Sequence, residues 1–166
     1  MVLLPRTELI RAVLQEPDAL EAERARRTLR DYLEQMWRVL EPAPFVPGWH
    51  IDAMCDHLQA VRDRQVRKLI ITVPPRHTKS TVVSIAFPTW AWVDAPEMRF
   101  LFASYADSLA TRDAVKSRRV LQSDWYQRRW GDRFQLTGDQ NEKRRYENDR
   151  TGYRLVTSVG GSATGE

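Results

Sequence analysis

The sequence is poor in cysteine and contains no long hydrophobic run. Cys55 is the single cysteine among 166 residues, so an internal disulfide is excluded and the chain fits a reducing cytoplasm. Its neighbours Ile51 and Met54 indicate a small core residue. Arg6 and Glu8 interrupt the first apolar stretch, and no uninterrupted hydrophobic run follows. This pattern predicts neither a secreted protein nor a membrane-spanning one.

Histidine is also scarce, and positive charge is spread along the chain. The three histidines are scattered and make no metal-ligand spacing with the cysteine. The net charge of +4 comes from arginine-rich stretches rather than from a basic tail. A length of 166 residues is enough for one domain with a real core, but not for two full domains.

The most informative segment spans residues 68–81. Residues 69–73 form a short apolar run that predicts a strand buried on both faces, as in the centre of a parallel sheet. Two prolines and a compact polar turn follow, closing on Lys79-Ser80-Thr81, and then a helical apolar pattern begins that Pro88 would kink or shorten. Strand, tight loop, Lys-Ser and helix form the layout of a phosphate-binding P-loop. Lysine supplies charge for the β- and γ-phosphates, and the next hydroxyl is placed to hold Mg²⁺.

The loop departs from the usual template at two positions. The pattern G-x-x-x-x-G-K-S/T requires glycines where this chain has Val73 and Thr78. Threonine tolerates a positive φ poorly, so either the loop keeps φ negative at position 78 or its phosphate cradle is weaker than usual. The alternative interpretation is a solvated basic loop that follows a buried strand and binds no ligand.

Helical periodicity dominates the first forty residues. We expect a short helix over residues 6–15, broken by Pro17, and a longer one up to the prolines at 42 and 44. The longer helix carries an apolar stripe that includes Ala25, Leu29 and Met36. This stripe packs on the core in one interpretation and contacts a neighbouring subunit in the other. Its arginines alternate with glutamates, so the charge pattern does not demand a DNA-binding face.

Strands and helices alternate after residue 48. The pattern predicts a helix over residues 50–62, a second strand over residues 99–103 and a helix beginning near Asp107, which favours a parallel, right-handed α/β sheet. Residues 143–157 are typical of a β-hairpin whose turn lies at residues 148–152. The arginines of this hairpin either contact a DNA backbone or protect an ordinary solvated edge.

These segments together resemble one protein family. Val73-Pro-Pro-Arg-His-Thr-Lys-Ser80 is similar to the Walker A region of large terminase subunits from tailed bacteriophages and prophages, in which the first glycine is often absent. Further similar segments follow the family's order over residues 45–166. They are the Phe-x-Pro-Gly-Trp-His run ending at His50, the strand ending in Ala-Ser-Tyr105, the helix containing Arg118 and Arg119, and the glycine-rich stretch ending at Gly165.

The resemblance implies a P-loop NTPase-type parallel sheet flanked by helices, preceded by a helical segment over residues 1–44. Residues 45–166 would then be a partial ATPase domain, because no apolar run ending in paired acidic residues follows the loop. The family's nuclease domain would be absent, and this chain would bind nucleotide better than it hydrolyses it. The implied cofactors are ATP and Mg²⁺. The implied partners are double-stranded DNA, the portal protein, the small terminase subunit and other copies in a ring, in the cytoplasm of a bacterial host.

The resemblance also assigns roles to residues. Lys79 would neutralise phosphate charge, Ser80 would ligate Mg²⁺, and Thr81 would help to hold the phosphates. Trp49 or His50 would stack on adenine, although a buried tryptophan at a helix entrance is the commoner situation. The remaining nucleotide-binding candidates are the loop residues Pro75, His77 and Thr78.

Three arginines are candidates for stabilising charge in the transition state. Arg76 lies in the loop, and Pro75 restricts its backbone, so it is the candidate for a role within the same subunit. Arg118 or Arg119 could act on the nucleotide of a neighbouring subunit. The alternative for this pair is an ordinary interaction with the dipole at a helix C-terminus.

Two other functions compete with a terminase ATPase. One is a helicase-like or other P-loop ATPase, whose subclass an acidic Walker B sequence would decide. The other is a non-catalytic binding module whose degenerate loop no longer takes nucleotide, in which case replacing Lys79 would change nothing.

Overall fold

The computed structural model describes residues 17–138 and 143–158. Within them the helices are α1 (Pro17–Arg27), α2 (Leu29–Leu40), α3 (Trp49–Arg62), α4 (Phe87–Asp94), α5 (Asp107–Leu121) and α6 (Asp124–Trp130). A π-helical segment, Thr81–Ala86, leads into α4. The strands are β1 (Phe100–Ser104), β2 (Arg145–Glu147) and β3 (Tyr153–Ser158). The helix expected over residues 6–15 and the glycine-rich stretch after residue 158 lie outside the described residues.

A small mixed sheet confirms the α/β class. The strand order is β1-β3-β2, in which β1 and β3 are parallel and β2 and β3 are antiparallel. The expectation of a wholly parallel sheet is therefore wrong for the described residues, because the hairpin adds an antiparallel strand. Helix α5 follows β1 and packs on both β1 and β3. The second strand and the helix after it occur where the sequence predicts them, with the strand shifted by one residue.

The strand predicted over residues 69–73 does not join this sheet. These residues pair with no strand of the described chain, and their side chains alternate between half-buried and exposed. Leu69, Ile71 and Val73 pack against the core, whereas Ile70 is 92% exposed. The prediction of a strand buried on both faces is therefore wrong. The apolar residues produce a segment whose side chains alternate in burial. A strand also requires a neighbouring strand with which to form backbone hydrogen bonds.

The longer N-terminal helix expected up to the prolines at 42 and 44 consists instead of two helices, α1 and α2. Thr28 separates α1 from α2, and its hydroxyl accepts a hydrogen bond from the Asp31 backbone N–H at 3.1 Å. Such an N-cap starts a new helix by satisfying one of its free amides. The apolar stripe of α2 is buried in the common core, which confirms the interpretation as a packing face. Cys55 also lies in this core, where burial raises the pKa of its thiol to about 12.

The helical stretch from Lys79 to Asp94, called here the loop helix, runs through the centre of the core. Its residues from Ile85 to Val93 are all buried. Pro88 does not end it; the π-helical segment precedes the proline, where the Phe87 N–H bonds to the Val82 carbonyl. The wider π-helical turn accommodates the proline ring, and the helix continues for another turn and a half. The expectation that Pro88 shortens the helix is therefore wrong, because the helix continues to Asp94.

The hairpin forms at the predicted residues. Asn148 accepts hydrogen bonds from the backbone N–H groups of Arg150 and Gly152, both at 3.0 Å, and donates to the Pro96 carbonyl at 2.8 Å. A Cβ on Gly152 would lie 1.9 Å from that same carbonyl oxygen. Glycine is therefore required here by the close approach of another backbone segment.

Asp94, at the end of α4, connects three separate elements. Its carboxylate oxygens form ion pairs with guanidinium nitrogens of three arginines. These are Arg26 from α1 at 3.0 Å, Arg133 from the segment after α6 at 3.5 Å, and Arg62 from α3 at 3.8 Å. The Arg62 guanidinium also lies 3.8 Å above the Trp90 ring. The three guanidinium groups share one carboxylate. Their close approach depends on its negative charge, because without it they would repel one another.

Replacing Asp94 by asparagine tests this network. Asp94→Asn should lower the free energy of unfolding by about 1–2 kcal/mol, since the carboxylate is only partly exposed and serves several charged donors. Urea unfolding at low salt measures the change, and 1 M NaCl should reduce it. Asp132→Asn is the matched control because Asp132 is exposed. Equal effects of the two substitutions would contradict the connecting role of Asp94.

Candidate functional site

The polar turn before the loop helix has an unusual backbone. Arg76 has a φ of 67° and Thr78 a φ of 62°, with His77 between them. Left-handed backbone is rare for residues other than glycine and is an outlier for a β-branched residue such as threonine. Alternating backbone of this kind turns successive N–H groups towards one side, which creates a concavity that binds anions. The φ at position 78 is therefore positive, so the alternative with a negative φ is wrong, and a phosphate cradle weaker than usual stays the prediction.

The loop helix begins directly after this turn. Lys79 and Ser80 are already helical, and the Val82 N–H donates to the Thr78 carbonyl at 3.0 Å. Both side chains are exposed, whereas Thr81 is half-buried. Among the described residues none forms an ion pair with Lys79. Its ammonium and the Ser80 hydroxyl are therefore available at a helix N-terminus, where free amides favour an anion.

An aromatic row connects the start of α3 with the loop. The rings of Trp49 and His50 lie 6.1 Å apart between centroids, and those of His50 and His77 lie 5.5 Å apart. The His77 Nδ1 is 3.0 Å from the Pro75 carbonyl oxygen, which holds the ring against the loop. Trp49 is 82% exposed, so the interpretation as a buried tryptophan is wrong. The structure thus brings Trp49 and His50 to the loop, which the sequence separates from them by more than twenty residues.

The arginine candidates lie in different places. Arg76 is exposed within the loop itself. Arg118 and Arg119 lie in the last turn of α5 and line a cleft of about 400 Å³ together with Val39, Val115, Gln122 and Ser123. No loop residue lines that cleft, so the structure does not bring this pair to the loop of its own subunit. A role for either arginine towards a neighbouring subunit stays a prediction.

A prominent cleft of the described chain does not contain the loop. It has a volume of about 950 Å³ and is lined by α1, α2, residues 41–45, Trp125 and Arg129. Its acidic and basic side chains are mixed, and several pair with each other, such as Arg24 with Asp31 at 2.9 Å. The loop is instead an open surface, which suits recognition of phosphate by backbone N–H groups and a helix N-terminus.

The donors for a metal ion are few. No group of three or more His, Cys, Asp or Glu side chains that could hold a metal occurs within residues 17–138 and 143–158. The exposed Ser80 hydroxyl supplies one oxygen ligand beside the loop. That set fits Mg²⁺ bound mainly through phosphate oxygens and water, and it does not fit a metal held by protein ligands alone. In the same part of the chain, no helix has the length and apolarity to cross a membrane.

One buried contact near the loop helix had no signal in the sequence. The Arg154 side chain is buried and donates from Nη1 to the Ser84 carbonyl of the loop helix. As one of several hairpin arginines, it was a candidate for DNA contact, and its burial excludes that role. Burial also lowers the pKa of its guanidinium, because the charged form is desolvated. No pattern in the sequence pairs a charged strand position with a proline-containing helix. The contact could therefore not be predicted.

The backbone of Thr78 makes a simple prediction. Thr78→Gly should raise the free energy of unfolding by about 0.5–1 kcal/mol. The left-handed conformation costs about 1–2 kcal/mol, and the greater freedom of glycine in the unfolded chain offsets about half of that. Thermal unfolding monitored by circular dichroism measures the change. Thr72→Gly, at a position without positive φ, should lower stability; a lower stability for Thr78→Gly as well would contradict strain at position 78.

Comparison of the chain with protein-family models, with curated proteins and with solved structures finds no match. The chemistry assigned to this site therefore depends on its own geometry. That geometry consists of a loop with left-handed backbone, a helix start that presents a lysine and a serine, and an adjacent aromatic row.

Proposed function

We propose that this chain is the ATP-binding part of a DNA-packaging motor of the terminase large-subunit type. The observation that carries the proposal is the left-handed backbone at Thr78, immediately before the exposed Lys79 and Ser80. Thr151 in the hairpin turn and Arg64 after α3 also have a positive φ. What marks this loop is the combination of left-handed backbone with a helix N-terminus and an exposed lysine, since such strain is concentrated at functional sites. The same observation disfavours the alternative of a degenerate loop that takes no nucleotide.

The phosphates of ATP would lie against the turn and the first amides of the loop helix. Backbone N–H groups near His77 and Thr78 would donate to phosphate oxygens, aided by the positive end of the helix dipole. Lys79 would neutralise charge on the β- and γ-phosphates. The Ser80 hydroxyl would hold Mg²⁺, and the ion would supply positive charge that stabilises the phosphates. Thr81, half-buried behind Ser80, would help to fix this arrangement.

The base of the nucleotide would lie on the aromatic row. Trp49 offers an exposed ring, and His50 connects it to His77 on the loop. The sugar would then connect this row to the loop, since the His50 and His77 rings lie 5.5 Å apart between centroids. Pro75 contributes by holding His77 in place through its carbonyl group.

The wider function follows the resemblance stated above. A terminase-type motor uses ATP to drive double-stranded DNA into a procapsid while docked on the portal protein as a ring, with the small terminase subunit as a further partner. Arg76 would act on the nucleotide of its own subunit. Arg118 or Arg119 would reach the nucleotide of the neighbour. A helicase-like ATPase would bind nucleotide in the same way and differ in its other partners.

Calorimetric titration tests nucleotide binding. Mg·ATP should bind the wild-type chain, and Lys79→Ala should weaken binding at least tenfold, because a charge near the β- and γ-phosphates is lost. Lys143→Ala is the matched control, since it removes an exposed lysine of the hairpin and should leave the affinity unchanged.

Two results of this titration would reject the proposal. The first is the absence of Mg·ATP binding to the folded wild-type chain. The second is binding that Lys79→Ala and Lys143→Ala affect equally, which would indicate general charge attraction instead of a loop site. In either case the non-catalytic binding module becomes the better explanation.

The aromatic row makes a separate prediction. Trp49→Ala should weaken ATP and GTP binding alike by about tenfold, because stacking contributes about 1–3 kcal/mol per base and does not depend on base identity. Tripolyphosphate, which has no base, should bind both proteins equally. Titration calorimetry with the three ligands measures this. Equal ATP affinity for Trp49→Ala and wild type would remove Trp49 from the site without affecting the phosphate loop.

A further inference from the structure

Arg154 is a charged residue in the interior of the protein. It is 1% exposed and projects from β3, and its guanidinium lies 4.0 Å from the centre of the Phe102 ring on β1. Within the described residues its Nε and Nη2 form no hydrogen bond of normal geometry, although the Tyr146 hydroxyl lies close enough to stabilise its charge. Its Nη1 donates to the Ser84 carbonyl. Burial of a charge costs free energy. We therefore expect a buried arginine to make an interaction that an apolar side chain could not make.

The Ser84 carbonyl is a special acceptor because of Pro88. In an α-helix, the residue that donates to the carbonyl of Ser84 is the one four positions later, and proline has no N–H to donate. The helix is moreover π-helical here, with the Phe87 N–H bonded to Val82. Arg154 therefore supplies, from the sheet, a hydrogen bond that Pro88 cannot supply from within the helix.

This contact lies close to the loop along the helix. Ser84 follows Lys79 by five residues, which is about one turn of a helix that is π-helical from Thr81 onwards. No break separates them, since the helical stretch is continuous from Lys79 to Asp94. A constraint on the position of Ser84 is therefore also a constraint on Lys79 and Ser80. Other contacts hold the far half of the helix, where Tyr32 and Tyr126 bond to Thr89 at 2.9 and 3.1 Å.

We propose that Arg154 is a positioning residue for the nucleotide site, acting through the Ser84 carbonyl to hold the first turns of the loop helix against the sheet. It touches neither phosphate nor base. It replaces the helical hydrogen bond that Pro88 omits, and so fixes where Lys79 and Ser80 stand relative to β3. This inference rests on the proposed nucleotide-binding function for its affinity measurement, but the helix contact can be tested without nucleotide.

Four variants separate this role from a general structural one. Arg154→Met removes all donors and keeps an apolar side chain of similar length. Arg154→Lys retains one charged donor for the Ser84 carbonyl. It is the variant to be measured if Arg154→Met does not fold. Pro88→Ala restores an N–H to the helix, and it is combined with Arg154→Met in a double variant. Arg150→Met, at the exposed turn of the hairpin, is the matched control.

Amide hydrogen exchange is measured on each variant without nucleotide. Arg154→Met should speed exchange in the first half of the loop helix about tenfold or more, as expected for loss of a hydrogen bond from a charged donor. The double variant should return to near the wild-type rate, because the N–H restored by Pro88→Ala then serves the Ser84 carbonyl in place of Arg154. Arg154→Lys should change exchange little, and Arg150→Met not at all.

Mg·ATP affinity is then measured on the same proteins. Arg154→Met should raise Kd about tenfold while the midpoint of thermal unfolding changes little, because relief of the buried charge offsets the loss of the hydrogen bond to Ser84. A merely structural residue would change the unfolding midpoint and Kd together. Pro88→Ala should again restore the affinity in the double variant.

Two results would overturn the inference: unchanged exchange and Kd in Arg154→Met, or a double variant no better than Arg154→Met alone. The second would show that Arg154 does not act through Ser84. If wild type binds no Mg·ATP at all, the proposed function fails, while the exchange measurements still decide whether Arg154 holds the loop helix. The two failures are therefore distinguishable.

Discussion

The loop helix, buried on every side along residues 85–93, is the element on which the rest of the structure depends. The Trp90 indole N–H donates to the carbonyls of Ala25 and Arg26 at 3.1 and 3.0 Å, which ties α1 to this helix. Trp92 donates to Met98 at 2.8 Å just before β1. A helix with apolar residues on all faces can only exist inside other elements, so the surrounding helices and the sheet are arranged by the need to cover it.

This central position has a consequence for the loop. A helix that is fixed along its length cannot shift to relieve strain at its first residues, and the loop before it must join an extended segment that is itself half-buried. Thr78 therefore takes a left-handed conformation that threonine disfavours. The same rigidity keeps Lys79 and Ser80 in one place. Packing in the core thus causes the backbone strain in the loop. It also holds the side chains in fixed positions, which an anion site requires.

Much of the architecture was predictable from local patterns. The helix of residues 50–62, the strand near residue 100 and the hairpin turn at Asn148 and Gly152 follow from short-range periodicity and turn chemistry. The break at Thr28 was also readable, since Thr28 and Asp31 have the spacing of a helix cap. The strand expected at residues 69–73 failed because strand formation needs a paired neighbour, and pairing is not encoded in the run of residues itself.

The sequence by itself determined which residues face the core along each helix, where the polar turn lies, and that a lysine and a serine follow it. These properties depend on side chains a few positions apart, which interact in the same way whatever the rest of the chain does. Only the tertiary structure decided the sign of φ at Arg76 and Thr78, the approach of His50 to His77, and the burial of Arg154 beneath the loop helix. Each of these depends on contacts between segments distant in sequence, whose positions are set by packing around the central helix.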